Sequence, residues 1–177
     1  MSHPNRTSRA ARCGRAVTIE DFAAPRVEPE SFSEDVSLTI LRLYCVSFAS
    51  PETHAWRQAV QLSLNTFGHH EGSIIGCALM ETIDGIRCQR KSPFNFSDPR
   101  CEHCRMIVTE QESQILRALR AIRAREPNEA QAIGRQLLED KNTRRFISAL
   151  QRAADAIDRA EGLAKETIER VASMANA

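Results

Sequence analysis

From Ser31 onward, apolar side chains recur at steps of three and four, the spacing that lines one face of an α-helix. Val36, Ile40, Leu41, Tyr44 and Phe48 make the first such stripe, opened by Ser31 and Glu34 in the order of a capping box. The alternation of Val36, Leu38 and Ile40 also fits a strand, but the longer period favours a helix. Ser50-Pro51-Glu52 then supplies an N-cap, a first-turn proline and an acid for a second helix. Its apolar face is Trp56, Val60, Leu64 and Phe67, and Gly68 ends it. After His69-His70-Glu71-Gly72, a third helix carries Ile75, Leu79, Ile83 and Ile86 and stops near Cys88. The short connection implies that 51–67 and 71–87 form an antiparallel hairpin.

Residues 89–108 break the pattern. They read as a polar connector with Pro93 and Pro99, in which Phe94 and Phe96 are the bulky apolar groups before Met106. Thr109 and Glu112 form another capping box, opening a helix through Ile115, Leu116, Leu119 and Ile122. Pro127 and the cap Asn128, with Gln131 at N3, start a further helix through about Lys141. A long final helix from Thr143 to Ser173 places Phe146, Leu150, Ala153, Ile157, Ala160, Ala164, Ile168 and Val171 at steps of three and four. Pairs such as Asp155–Arg159, Glu161–Lys165 and Glu166–Arg170 support it. The expected fold is therefore all-α, with five to six helices in an orthogonal or bundle-like arrangement. The nearly heptad spacing of the last helix also offers a seam for a homodimer.

Composition changes this picture little. One Trp and one Tyr in 177 residues argue against a β-sandwich, and the length suits one ordinary domain. Residues 1–30 read as a flexible tail, basic through Arg6, Arg9, Arg12 and Arg15, then acidic through Glu20, Asp21, Glu28 and Glu30. Residues 31–177 read as a single helical domain. No segment approaches the roughly 18 continuous apolar residues that span a membrane. No apolar stretch follows the basic start, as a secretory signal would require. The net charge of +1 gives no global field toward a partner. The 21 arginines against three lysines fit the codon bias of a GC-rich bacterial genome. A reducing cytoplasm is the expected location.

The candidate chemistry lies in the connector. Cys88, Cys101 and Cys104, spaced C-x12-C-x2-C, form a pattern that in a reducing compartment reads as a metal site before a disulfide. Thiolates three positions apart can share one soft cation at about 2.3 Å for zinc. A structural zinc takes four ligands, so a fourth is needed from His54, His69, His70, His103, Cys45 or Cys77. In an antiparallel hairpin, His69 and His70 lie about 25 Å from Cys88, at the far end of the third helix. His54, on the first turn of the partner helix, ranks first, His103 second and Cys45 third. The expectation is a metal-pinned loop at 88–104 between the third and fourth helices, held by Cys88, Cys101, Cys104 and His54.

Sharper readings fail on the residues. Arg105 follows Cys104, so the CxxCH of haem attachment is absent, and no βαβ context supports a thioredoxin motif. An iron–sulfur cluster would need Cys45 or Cys77 as a fourth thiolate and stands as the alternative cofactor. His69-His70-Glu71 reads as a solvated turn, with Glu71 suited to a helix N-terminus. Arg117, Arg120, Arg123 and Arg125 could track phosphates, but flanking acids and the lack of stacking aromatics favour a solvated face. No P-loop, GxGxxG, nucleophile elbow or HExxH occurs. The sequence thus predicts a non-enzymatic interaction or regulatory module with a structural zinc and an unidentified protein partner. The alternatives are a nucleic-acid-binding regulator, using the basic arm and the 117–125 stripe, and an iron–sulfur or thiol redox sensor.

Overall fold

A computed structural model of the chain describes residues 27–175. The regular elements among the described residues are all helical. They are α1 (Phe32–Ala49), α2 (Ala55–Gln89), α3 (Glu110–Arg123), α4 (Pro127–Leu137) and α5 (Arg144–Ala175). Short 3-10 turns occupy Pro51–Thr53 and Cys104–Met106. The basic arm of Arg6, Arg9, Arg12 and Arg15 lies outside the described residues.

α1 is buried on nearly every side, because α2 packs along it while α3 and the connector close over it. Leu38 and Leu43 are as buried as Ile40 and Tyr44, so its pattern looks less amphipathic than that of a surface helix. The start is capped as expected. Ser31 Oγ accepts the Glu34 amide at 3.2 Å. The Glu34 carboxylate, however, turns away to the Glu30 amide and to Arg120.

α2 joins the second and third predicted helices, but it is not one straight rod. Gly68, at φ 78 and ψ 170, leaves helical geometry and divides it into limbs 55–67 and 69–89. The chain folds back there. Ser63 Oγ donates to the Gly72 carbonyl at 2.7 Å, whereas nine residues of straight helix span about 13 Å.

The expected face of the first limb is right at its end, where Phe67 packs against the core, and out of phase at its start. Ala55, Ala59 and Ser63 are buried, while Trp56 and Val60 are exposed. Two backbones this close leave no room for large side chains between them, so the small residues take the inner face.

α2 packs against both α1 and α5, and α3 packs against α4 and α5. Phe146 of α5 is fully buried and belongs to a core shared with Ile40, Ile75, Leu79, Ile115 and Leu119. α4 ends at Leu137, short of the expected Lys141, because Glu139 and Asp140 adopt left-handed geometry (φ 55 and φ 59) and turn the chain into α5. The Glu139 carboxylate bonds the Ser92 and Lys91 amides, each at 3.0 Å, which ties the start of the connector to this turn.

Bonding from Ser92 and the Lys91 amide holds Glu139 at about 2, below its ordinary 4.5. Such a lowered group contributes stability above pH 4.5 that is lost as pH falls through about 2. The Lys91 and Ser92 amide proton shifts are therefore expected to titrate near pH 2, and to lose that titration in Glu139→Gln. A midpoint near 4.5 would contradict the contact.

Candidate functional site

The connector is held to the helices by one buried polar network. Arg42, in the middle of α1, pairs with Glu112, in the first turn of α3, at 2.8 Å, with side chains only 4% and 2% exposed. A second Arg42 nitrogen reaches the other Glu112 oxygen at 3.0 Å. The guanidinium also donates to the carbonyls of Arg105 (2.8 Å) and Ile107 (2.7 Å). Glu112 in turn accepts the Ser97 and Thr109 amides, completing the capping box that Thr109 opens. Fixed charges this deep persist when their polar atoms are bonded, and here all three guanidinium nitrogens and both carboxylate oxygens have partners. Phe94 and Phe96 anchor the connector's other side, lining with Cys45, Phe48, Ile83 and Ile86 a cavity of about 180 Å³.

Cys101 and Cys104 sit on the turn that this network secures. Cys101 donates its amide to the Asp98 carbonyl at 3.2 Å, and Arg105 donates to the Cys101 carbonyl at 3.0 Å. The Cys104 amide points at Cys101 Sγ, 3.4 Å away. Asp98 is tied to Arg100 at 2.8 Å, and this bonding holds its carboxyl below the ordinary range against the opposing effect of burial. Both cysteines are half-buried.

The other expected ligands lie on or beside α2. Cys88 is exposed on the last turn of α2, its Sγ 3.9 Å from Asp84 Oδ1. His54 is exposed in a left-handed residue (φ 49) between the Pro51–Thr53 turn and α2. Among the described residues, no three His, Cys, Asp or Glu side chains gather into a group able to hold a metal ion. Cys45 is buried in the core, where burial pushes its thiol pKa up, and Cys77 is exposed on α2. His103 is exposed just before the Cys104–Met106 turn.

Two polar clusters have structural partners. Glu71 is buried and bonds Arg159 of α5 at 2.9 Å, while His69 and His70 are exposed. The Arg159 hydrogen bonds hold the Glu71 carboxyl below its ordinary value. In the arginine stripe, Arg120 bonds Glu30, Glu34 and the Glu28 carbonyl, and Arg123 bonds Asp158 and Glu161. Guanidinium groups so engaged have less charge to offer a phosphate backbone. The same bonds pin residues 27–30, the end of the expected tail, onto α3.

α5 has two unlike halves. Arg144 to Ile157 packs into the core, but from Glu161 to Met174 every side chain is exposed. On that half, Leu163 (58% exposed), Ile168 (69%), Val171 (62%) and Met174 (75%) share one face with Ala164. Glu161, Lys165, Glu166, Glu169 and Arg170 occupy the rest of the circumference. No helix among the described residues is long and apolar enough to cross a membrane. No known family, curated protein or solved structure matches this chain.

Proposed function

We propose that this protein is a non-enzymatic helical interaction module that pairs with a second copy of itself through the projecting half of α5, its Cys101–Cys104 turn clipped by a structural zinc-type ion. The observation that carries the interaction is the apolar stripe Leu163, Ile168, Val171 and Met174, which continues the buried stripe of α5 beyond the core. A free helix of about 14 residues is marginal in water, so a partner for its apolar face stabilises it.

Charge favours a second copy as that partner. The segment carries three glutamates against one lysine and one arginine, so two copies meet with little net repulsion. The same balance disfavours an anionic membrane surface, which selects Lys- and Arg-rich polar faces.

Sedimentation across a concentration series tests the pairing. The wild type is expected to dimerise, and Ile168→Glu with Val171→Glu to weaken the dimer at least tenfold without loss of the core helices. A wild type that stays monomeric at every concentration it reaches would refute the reading. The clip is tested separately by elemental analysis of native protein, where one zinc per chain is expected. Protein purified without chelators that carries no bound metal, and takes up none when titrated, would remove the clip.

A further inference from the structure

The geometry points to the cavity between the end of α1, the second limb of α2 and the connector as a binding site for a small apolar monocarboxylate. The apolar tail lies among the phenylalanines and the carboxylate meets Arg87. This assignment rests on neither the α5 pairing nor the metal clip.

The walls of the cavity follow from the fold. Cys45 comes from near the end of α1, Ile83 and Ile86 come from α2, and all three are buried. Phe48 of α1 and Phe94 and Phe96 of the connector are half-buried around them. The connector is tied down on both sides of its phenylalanines. Lys91 and Ser92 bond Glu139, and Ser97 bonds Glu112 and the Ile107 carbonyl. Phe94 and Phe96 are therefore held at a set place above the helices, as a largely pre-formed site requires. Protein interiors hold few hollows larger than a water molecule. At about 180 Å³, this one exceeds the roughly 150 Å³ that accommodates a benzene-sized guest. Drug-sized ligands need pockets of roughly 300 Å³ or more, so a single ring or a chain of similar bulk is the fit.

Arg87 sets the polarity of the guest. It and Ala49 are the exposed members of the lining, and the Arg87 side chain is 48% exposed. Its guanidinium carbon lies 4.1 Å from the centre of the Phe48 ring. Stacking on the ring fixes the plane of the group and leaves its in-plane N–H donors for an acceptor. The acid beside it, Asp84, is 3.5 Å away and makes a closer pair with Arg145 at 2.7 Å. Two guanidinium groups thus share one carboxylate, which leaves one positive charge in excess at the rim. A single negative charge on the guest matches that excess. A doubly charged phosphate would set its second charge against Asp84. Further in, burial keeps the Cys45 thiol neutral. A sugar or a dicarboxylate would bury polar groups that the lining side chains cannot bond, since beyond Arg87 they offer only that weak thiol.

Titration of the isotope-labelled full chain with phenylacetate tests this, read on the Ile83 and Ile86 methyl signals. Phenylacetamide serves as the neutral isostere and phenyl phosphate as the doubly charged one. Phenylacetate is expected to shift both methyls with a dissociation constant of about 1 mM or tighter. Each of the other two is expected to bind about tenfold more weakly. Arg87→Met keeps the apolar stem, so it should bring phenylacetate down to the phenylacetamide level and leave phenylacetamide unchanged. Cys45→Leu fills the hollow from its buried end and Ala49→Leu from its exposed rim. Each should cut phenylacetate affinity by about tenfold or more, and circular dichroism should show Ala49→Leu with wild-type helicity. Methyl signals that stay fixed up to about ten times the expected dissociation constant would overturn the site. Equal binding of phenylacetate and phenylacetamide, or an Arg87→Met variant that binds phenylacetate like wild type, would overturn the role of the carboxylate. Tighter binding of phenyl phosphate would overturn the single charge. Shifts that survive both leucine substitutions would remove this cavity as the site.

Discussion

Replacing Glu112 with glutamine is expected to lower the unfolding free energy by about 3–5 kcal/mol, the usual result of leaving one member of a buried ion pair without its partner. Glu112 is 2% exposed and accepts from Arg42, Ser97 and Thr109, so the loss is not confined to one bond. Removing the carboxylate charge leaves the Arg42 guanidinium inside the fold with no counterion, faced by neutral oxygens alone. For a domain of this size the melting temperature should drop by about 10 °C or more. The double variant Arg42→Met with Glu112→Gln separates charge from bonding. Relief of the buried charge should recover part of the stability, since apolar replacement of a buried pair is often tolerated. Full recovery is not expected, because the Arg105 carbonyl would lose its Arg42 donor and the Ile107 carbonyl would keep only Ser97 Oγ. Thermal melts of the three proteins check this, and a Glu112→Gln melt within 3 °C of wild type would contradict it. The same substitution should loosen the turn that presents Cys101 and Cys104, and so weaken any ion bound there.

Glu112 also marks where sequence reading succeeds and where it stops. The Thr109–Glu112 capping box was legible because its donors and acceptors lie within three residues of each other. The partner across the core was not, because Arg42 is 70 residues away and a capping pattern carries no long-range address. A signal did exist: an arginine inside the run from Leu38 to Val46, which is buried on nearly all sides, needs a counterion. In the first limb of α2 the helical period was right, but at its start the phase was wrong. Bulky Trp56 and Val60 outweighed Ala55, Ala59 and Ser63 in the apolar pattern, yet close backbone approach selects the small residues.

In α5 a uniform stripe ran past Ile157 with no change in sequence where the core ends. Amphipathicity records that a face wants covering, not what covers it. The metal pattern divides along the same line. Cys101 and Cys104 share a turn because three residues fix their geometry locally. The position of Cys88 depends on a twelve-residue path through two prolines that spacing alone does not describe. The bonds formed by Arg159 and Glu161 show the same limit. Arg159 takes Glu71, and Glu161 takes Arg123, in place of the helix neighbours that the spacing offered them.

Gly72→Ala is expected to be the most damaging of the single-methyl additions, at about 3 kcal/mol, the upper end of the cost of overpacking. A Cβ at this position would lie 2.5 Å from the Ser63 carbonyl oxygen and 2.9 Å from the Leu64 Cα. Both neighbours are backbone, so no side chain can swing aside and the limbs of α2 must move apart. That movement would strain the buried bond from Ser63 Oγ to the Gly72 carbonyl, and an unsatisfied buried hydroxyl adds to the cost.

Two other glycines separate crowding from backbone effects. Gly68→Ala meets no atom within 4 Å, but φ 78 with ψ 170 is a conformation that L residues avoid, at about 1–3 kcal/mol. Gly162→Ala is equally uncrowded within helical α5, and there alanine should stabilise by about 0.5–1 kcal/mol. Urea unfolding of the three variants gives the order Gly162→Ala above wild type, then Gly68→Ala, then Gly72→Ala. If Gly72→Ala proved as stable as wild type, the limbs would not approach as closely as the Ser63–Gly72 bond requires. The face of Ala55, Ala59 and Ser63 would then lose its reason for being small.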